Sequence, residues 1–281
     1  MENRAIGIFD SGIGGLTVLK QIKKILPNEN IIYYGDNINI PYGNKPKEII
    51  LELSNKIIKF LLEQNVKLII IACNTISANC FYELKKNFCD GFDINNINII
   101  EIISSGAEAS ILSLLNKKNK SLGLIATQAT IKSQAYEKYI KNKDSEIKIF
   151  SKACPLFVEL AEKNLVNTKM AYDIAKNYIK DFEQKNIESL ILGCTHFPLF
   201  INIIKKILPG VKIIDPAESV AFNTKKYLCE HNLLNKANIS GLNKTPEIIF
   251  YTSGDPKKFG LITNNILNKN YDLSLFIKKN L

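Results

Sequence analysis

Leu68-Ile69-Ile70-Ile71-Ala72-Cys73-Asn74-Thr75 is an uninterrupted apolar run that closes on a thiol and two small polar residues. Ser189-Leu190-Ile191-Leu192-Gly193-Cys194-Thr195-His196 repeats the cadence, with its cysteine 194 − 73 = 121 positions later. A short apolar run without alternation fits a strand buried on both faces, as in parallel sheets covered by helices. A second pair, Ile6-Gly7-Ile8-Phe9-Asp10-Ser11 and Leu122-Gly123-Leu124-Ile125-Ala126-Thr127, lies at a similar offset of 122 − 6 = 116. The chain therefore reads as a duplicated unit with a small insertion, and each copy carries a cysteine at the carboxyl end of an equivalent strand.

Around these landmarks apolar runs alternate with helix-period segments: Ala5 to Phe9 then Leu16 to Ile25, Ile31 to Tyr34 then Lys47 to Leu62, Leu68 to Ile71 then Ser77 to Lys86. Such alternation predicts βαβ units and an α/β fold. Asp90 to Asn98 is polar and rich in Asn, and the pattern restarts with Ile99 to Ile103, Ser121 to Ile125, Ile147 to Phe150 and Ser189 to Leu192. We expect two similar, pseudo-symmetric domains with mostly parallel sheets flanked by helices, and an active site in the cleft between them. Residues 1–98 and 215–281 make the first, discontinuous domain, because the helix pattern Ala217 to Cys229 and the strand Glu247 to Tyr251 are too little for a third. Residues 99–214 make the second.

The chain has 281 residues, 46% hydrophobic and 23% charged, which is the composition of a soluble globular protein. No apolar stretch approaches the roughly 18 uncharged residues of a membrane helix, and Met1-Glu2-Asn3-Arg4 does not open a secretory signal. The expectation is a cytoplasmic protein without a membrane partner. Its six cysteines are then expected as free thiols. Cys73, Cys80 and Cys89 lack the close pairing of a structural zinc site, so no metal is expected. The net charge of 37 − 27 = +10 is spread over scattered pairs such as Lys23-Lys24, Lys85-Lys86, Lys117-Lys118 and Lys205-Lys206. Scattered lysines make a solvated surface rather than a nucleic-acid groove, and they help to draw in an acidic substrate.

Ligands of open parallel sheets bind outside the carboxyl ends of the strands, so two facing units would present both thiols to one cleft. An inert buried cysteine is the bland alternative, but a core position has no need of the polar followers Asn74-Thr75 and Thr195-His196. Asp10-Ser11-Gly12-Ile13-Gly14-Gly15 lies between a strand and a helix, where exposed N–H groups make an anion site. Its spacing is not the dinucleotide Gly-x-Gly-x-x-Gly, so a carboxylate ligand fits better than a pyrophosphate; a simple helix cap is the alternative for Asp10. Gly35-Asp36 and Pro41-Tyr42-Gly43 follow another strand, and Asn74, Thr75, Thr127, Thr130 and Thr195 offer short donors. That lining suits a small molecule with carboxylates and an ammonium group.

Asp10-Ser11-Gly12-Ile13-Gly14-Gly15, Pro41-Tyr42-Gly43, Ala72-Cys73-Asn74-Thr75, Gly193-Cys194-Thr195-His196 and Thr252-Ser253-Gly254-Asp255-Pro256, in this order and spacing, resemble the glutamate racemases over nearly the whole chain. The resemblance implies a cofactor-independent isomerase of L- and D-glutamate that supplies D-glutamate for peptidoglycan. It implies that Cys73 and Cys194 are the two catalytic acid/bases on opposite faces of the substrate Cα. Asp10 would assist Cys73, and His196 with Glu162 would assist Cys194. Asp10, Ser11, Tyr42, Gly43, Asn74, Thr75, Thr195 and His196 would hold the substrate, with Pro41, Thr127 and Thr130 alongside. Glu162 is chosen by its distance from Cys154-Pro155-Leu156-Phe157-Val158, and Glu159 competes with it. The chain departs from the family at Asn37-Ile38-Asn39, where Thr-Ala-Arg is common, at Ala126-Thr127 and Ala129-Thr130, where Gly-Thr is usual, and at Phe197 in place of Tyr. The alternatives are an aspartate or related racemase, an amidase-like hydrolase using Cys194 and His196, and a solute-binding module. A homodimer is compatible with the chain.

Overall fold

The computed structural model describes residues 2–89, 97–235 and 246–281, so most of the Asn-rich stretch from Asp90 lies outside the described residues. The strands are β1 (Ile6–Asp10), β2 (Ile31–Gly35), β3 (Leu68–Ile71), β4 (Ile99–Glu101), β5 (Ser121–Ala126), β6 (Lys148–Ala153), β7 (Ser189–Gly193), β8 (Lys212–Ile214), β9 (Ile248–Thr252) and β10 (Phe276–Lys278). They form a six-stranded sheet in the order β10-β9-β2-β1-β3-β4 and a four-stranded sheet in the order β6-β5-β7-β8. Every pairing is parallel.

The duplication is visible in the strand order. β2-β1-β3-β4 in one sheet matches β6-β5-β7-β8 in the other, and β9 and β10 extend the first sheet beyond β2. Register sets the height of the functional loops: Asp10 lies beside Gly35 and Phe9 beside Ile71, so β1, β2 and β3 end at one rim. Ala126 lies beside both Ala153 and Gly193 at the matching rim of the second sheet. One expectation fails. The strand Ile99–Glu101, read from the sequence as the start of the second domain, pairs with β3 in the first sheet. Its apolar pattern says only that it is buried, not which sheet receives it. The chain changes sheets in the helix Ile102–Leu114, whose first N–H groups are capped by Glu101, with Ile103 N and Ser104 N donating to the carboxylate over 2.6 and 2.7 Å.

The two halves share one continuous core. Ile6 and Ile8 of β1 and Leu122 and Leu124 of β5 belong to the same buried cluster. The helices Leu16–Ile25, Ile102–Leu114 and Pro216–Glu230 fill the space between, through residues such as Leu19, Ala107 and Val220. The outer faces have their own clusters, around Phe9, Ile69 and Ile71 on one side and Ile125, Leu190 and Leu192 on the other. Each such fully buried side chain contributes about 1.5–3 kcal/mol relative to exposure. Strands buried on both faces explain the unbroken apolar runs in the sequence.

At the rim away from the cysteines, Lys67 precedes β3 and its Nζ lies 2.5 Å from Glu29 Oε2, with both side chains almost fully buried. Lys67 also donates to the Leu233 carbonyl (2.7 Å), and Glu29 accepts from Asn235 N (2.8 Å). Lys67→Met would leave a buried carboxylate without its cation, which costs about 3–5 kcal/mol. We expect urea unfolding to register that loss and Lys67→Met/Glu29→Gln to recover most of it. Equal stability of Lys67→Met and the parent protein would show that the pair does not hold this rim.

Candidate active site

β1 ends on Asp10, whose carboxylate is fully buried. Oδ1 accepts from Gly12 N (3.0 Å) and Oδ2 from the Thr195 hydroxyl (3.1 Å), so the group is satisfied from both halves of the molecule. Burial raises the Asp10 pKa, against the pull of His196, the Gly12 N–H and the Thr195 hydroxyl. Cys73 follows β3 at the N-cap of the helix Asn74–Phe88, with Sγ 3.7 Å from Ser11 Oγ. Burial pushes its thiol up to about 12, reinforced by the Asp10 charge and opposed by the Ile76 N–H and the Ser11 hydroxyl. Its protein surroundings therefore favour the protonated thiol.

Cys194 follows β7, and its Sγ lies 3.7 Å from His196 Nδ1. The opposite ring nitrogen, Nε2, lies 2.7 Å from Glu162 Oε1. Glu162 ends the helix Pro155–Glu162. Its rival Glu159 sits nearly one turn earlier, is mostly exposed, and has Lys163 at 4.0 Å; Glu162 is the carboxylate that meets the imidazole. Burial pulls the His196 pKa down, but its bonds to Cys194 and Glu162 outweigh this and hold it well above the ordinary histidine value. The imidazole is then a cation at neutral pH. No α-helix starts at Cys194: a 3₁₀ turn, Phe197–Phe200, intervenes before the helix Ile201–Ile207. Of these two cysteines, Cys73 alone stands at an α-helix N-terminus.

The halves are joined at the cleft by side chains. Thr17 Oγ1 donates to the Gly14 and Thr195 carbonyls (2.9 and 3.1 Å). The hydroxyls of Thr75 and Thr127 are 2.9 Å apart, and those of Thr127 and Thr130 3.0 Å. Tyr136 donates to Asn74 Oδ1 (2.7 Å). Two glycines permit this approach: a Cβ on Gly14 would collide with Thr195 Oγ1 and lie 2.8 Å from His196 Nδ1, and one on Gly43 would lie 2.9 Å from Thr127 Cβ. This corrects the reading of Asp10 to Gly15 as an anion cradle. The loop is packed against Thr195 and His196, and Ser11 alone of its residues lines the cavity. Nor does Asp10 cap the helix Leu16–Ile25, which has Gly15 at its N-cap and no side-chain cap.

Both thiols line one small cavity. Ser11, Pro41, Tyr42, Gly43, Asn74 and Thr75 reach it from the first half, and Thr127, Thr195 and His196 from the second. Asp10, Glu162 and Thr130, also named from the sequence, stand one layer back, behind Thr195, His196 and Thr127 respectively. Residues that the sequence reading missed include Ile40, Gln128 and Val158 on the lining, and Tyr136 behind Asn74. The Thr252-Ser253-Gly254 segment acts at a distance: Tyr42 Oη and Ser253 Oγ each donate to Asp36 over 2.6 Å, and Ile38 N donates to Ser253 Oγ (3.0 Å). It braces the loop that carries Tyr42 and Gly43. Among the described residues no group of three His, Cys, Asp or Glu side chains could hold a metal, and no helix is long and apolar enough to cross a membrane.

Chemically, the cavity pairs two thiols with short hydrogen-bond donors and one cationic imidazole, a setting for proton transfer on a carboxylated substrate. The chain is 41% identical to glutamate racemase 2 of Caldanaerobacter subterraneus subsp. tengcongensis, over 97% of this chain and 96% of that protein. The crystal structure of glutamate racemase from Francisella tularensis in complex with D-glutamate superposes with a TM-score of 0.83 at 41% identity, covering 96% of this chain and 95% of that one. A glutamate racemase isoform from Bacillus anthracis gives a TM-score of 0.89 at 32% identity, covering 100% and 99%. Residues 14–222 match the family model for Asp/Glu/Hydantoin racemase. With that match and these relatives along nearly its whole length, the chain belongs to the Asp/Glu/hydantoin racemase family.

Proposed function

We propose that this protein is a glutamate racemase that interconverts L- and D-glutamate with Cys73 and Cys194 as paired acid/bases, without a cofactor. The observation that carries the reading is the meeting of two thiols, from equivalent strands of two matching sheets, in one cavity. Glutamate is favoured as substrate by the relatives, which are glutamate racemases across nearly the full chain. D-glutamate made in the cytoplasm would feed peptidoglycan synthesis.

The chemistry demands two groups. Inversion at Cα removes a proton from one face and delivers one to the other, which a single base cannot do without turning the substrate over. One sulfur must be a thiolate while the other is a thiol, and the roles exchange with direction. In one direction the Cα–H electrons pass into the substrate as its proton moves to the thiolate. The opposing S–H then protonates Cα from the other face and is left as thiolate. Cys73 starts as a buried thiol at about 12, so its ionisation needs a cation. The substrate ammonium supplies one on binding. At the other sulfur the cation is His196, 3.7 Å away and held by Glu162.

General acid/base catalysis is worth about 10²–10⁴-fold, too little alone for an unactivated α-proton. The remainder must come from donors aimed at the α-carboxylate, which takes up negative charge as the proton leaves. Asn74 and Thr75 are the candidates on the lining, the Thr195 hydroxyl being already donated to Asp10, and the buried Asn74 Nδ2 has no protein partner among the described residues. A hydrolase could use Cys194, His196 and Glu162 as nucleophile, base and carboxylate, but would leave the second thiol without a task.

In D₂O, the wild-type protein should incorporate deuterium at Cα while interconverting the enantiomers. Cys73→Ser and Cys194→Ser should each slow racemisation by at least about 10³-fold, since an alcohol is a far weaker acid than a thiol. Either serine variant within tenfold of wild type sinks the two-thiol mechanism.

His196 should keep its proton through pH 6.5 and release it only as the pH rises through its elevated value. The chain has two histidines, so proton NMR with a His231→Gln control can follow the His196 ring alone. Glu162→Gln removes the carboxylate charge and should move the titration to lower pH. A wild-type ring titrating near 6.5, or one that Glu162→Gln leaves in place, contradicts the assignment of Glu162 to His196.

A further inference from the structure

Asn74 opens the helix Asn74–Phe88 directly after Cys73 and is almost wholly buried on the cavity wall. A side-chain amide is nearly symmetric in shape but opposite in polarity at its two ends. Which end faces the substrate decides whether the residue attracts or repels a carboxylate. Two independent features fix the choice. Oδ1 accepts from the Tyr136 hydroxyl at 2.7 Å, and the buried Nδ2 has no protein partner among the described residues.

Tyr136 comes from the other half. Gln134, in the left-handed conformation with φ of 56°, separates the helices Gln128–Ser133 and Ala135–Lys143. Tyr136 lies in the first turn of the second helix and is fully buried, so its hydroxyl sits where no water can take its proton. Burial, with the charges of Glu101, Asp215 and Cys194, holds that hydroxyl protonated at any working pH. A buried O–H must find an acceptor. Asn74 Oδ1 is its one hydrogen-bond partner among the described residues. Turning the amide over would strand the tyrosine proton against an NH₂ group and point a carbonyl at the substrate.

We propose that Tyr136 is a positioning residue that locks the Asn74 amide with its NH₂ turned toward the substrate α-carboxylate. The α-carboxylate is the group addressed because Asn74 adjoins Cys73, one of the two sulfurs that meet Cα in that mechanism. The inference rests on the glutamate racemase reading and adds to it the origin of the donor's orientation. Since hydroxyl and amide belong to different halves, the donor is oriented only while the halves are together. A buried NH₂ left unpaired is costly, and a carboxylate placed against it would satisfy it.

The test measures kcat and KM for both enantiomers in the full chain, with melting curves for every variant. Tyr136→Phe should lower kcat/KM about 10- to 100-fold with little change in melting. In an Asn74→Ala background the same change should do nothing further, because the group it orients is gone. Asn74→Asp keeps an oxygen for Tyr136 and turns the other toward the substrate, so it should fall at least tenfold below Asn74→Ala. Tyr136→Phe within twofold of wild type, or effects of Tyr136→Phe and Asn74→Ala that simply multiply in the double variant, overturn the proposal. So does Asn74→Asp outperforming Asn74→Ala, a comparison that holds even if Tyr136→Phe does not fold. Wild-type protein inactive on both enantiomers overturns the glutamate reading and this inference together, whereas an active wild type with an unaffected Tyr136→Phe overturns the inference alone.

Discussion

The Asp10 carboxylate is buried where the two halves meet, and hydrogen bonds reach it from both halves. A buried carboxylate is tolerated only while its oxygens are satisfied. Gly12 N–H belongs to the same loop and is always present. The Thr195 hydroxyl belongs to the segment after Cys194, and any opening of the cleft at this point takes it away. Bringing the halves together therefore completes the solvation of Asp10 and, in the same movement, sets Thr195 and His196 against the Asp10–Gly15 loop. Gly14 allows that contact, because a side chain there would occupy the space of Thr195 and His196. The shared core beneath makes the contact reproducible, since the helices between the sheets are packed against both.

Equivalent strands do not give equivalent thiols. Cys73 has an α-helix N-terminus in front of it and a carboxylate, Asp10, close enough to oppose its ionisation. Cys194 has a 3₁₀ turn in front of it and a cationic imidazole 3.7 Å away. The 3₁₀ turn is what allows this, because residues 195 and 196 are not committed to a helical first turn and His196 can fold back on the sulfur. Burial and the Asp10 charge favour the neutral form of Cys73 over the opposing Ile76 N–H and Ser11 hydroxyl, whereas Cys194 has a cationic imidazole beside it.

The βαβ alternation, the duplication and the strand-end thiols were legible in the sequence, because strands buried on both faces leave unbroken apolar runs such as Leu68 to Ile71. The sheet that takes Ile99–Glu101 was not legible, since burial has no direction in a sequence. Nor was β10, three residues of which only Phe276 is buried. At the site, local motifs supplied the lining but not the layer behind it. Glu159 and Glu162 are three positions apart on one helix, and only the fold decides which of them meets His196. Tyr136 reads as an ordinary core aromatic until its hydroxyl is seen against Asn74, 62 residues away. The Asp36 brace joins residues 217 positions apart, Ser253 and Asp36, and no periodicity connects them.

The places where the repeat breaks are where the site acquires its specialised groups. β2 stands beside β1 as β6 stands beside β5, so the segments that follow them are topological counterparts. After β2 the chain runs through Asp36 to Tyr42, and the tyrosine hydroxyl is held by that carboxylate over 2.6 Å. After β6 it runs into the helix Pro155–Glu162, whose terminal carboxylate holds His196 over 2.7 Å. Each counterpart spends a carboxylate on fixing a ring at the cavity, but one ring is a neutral phenol and the other a cation. The duplicated sheets supply the symmetric requirement, two thiols at matching heights. The unlike loops supply the charge difference between the two sides of the cavity, and they can diverge without disturbing the sheets because their hydrogen bonds are made above the strand ends rather than within the ladder.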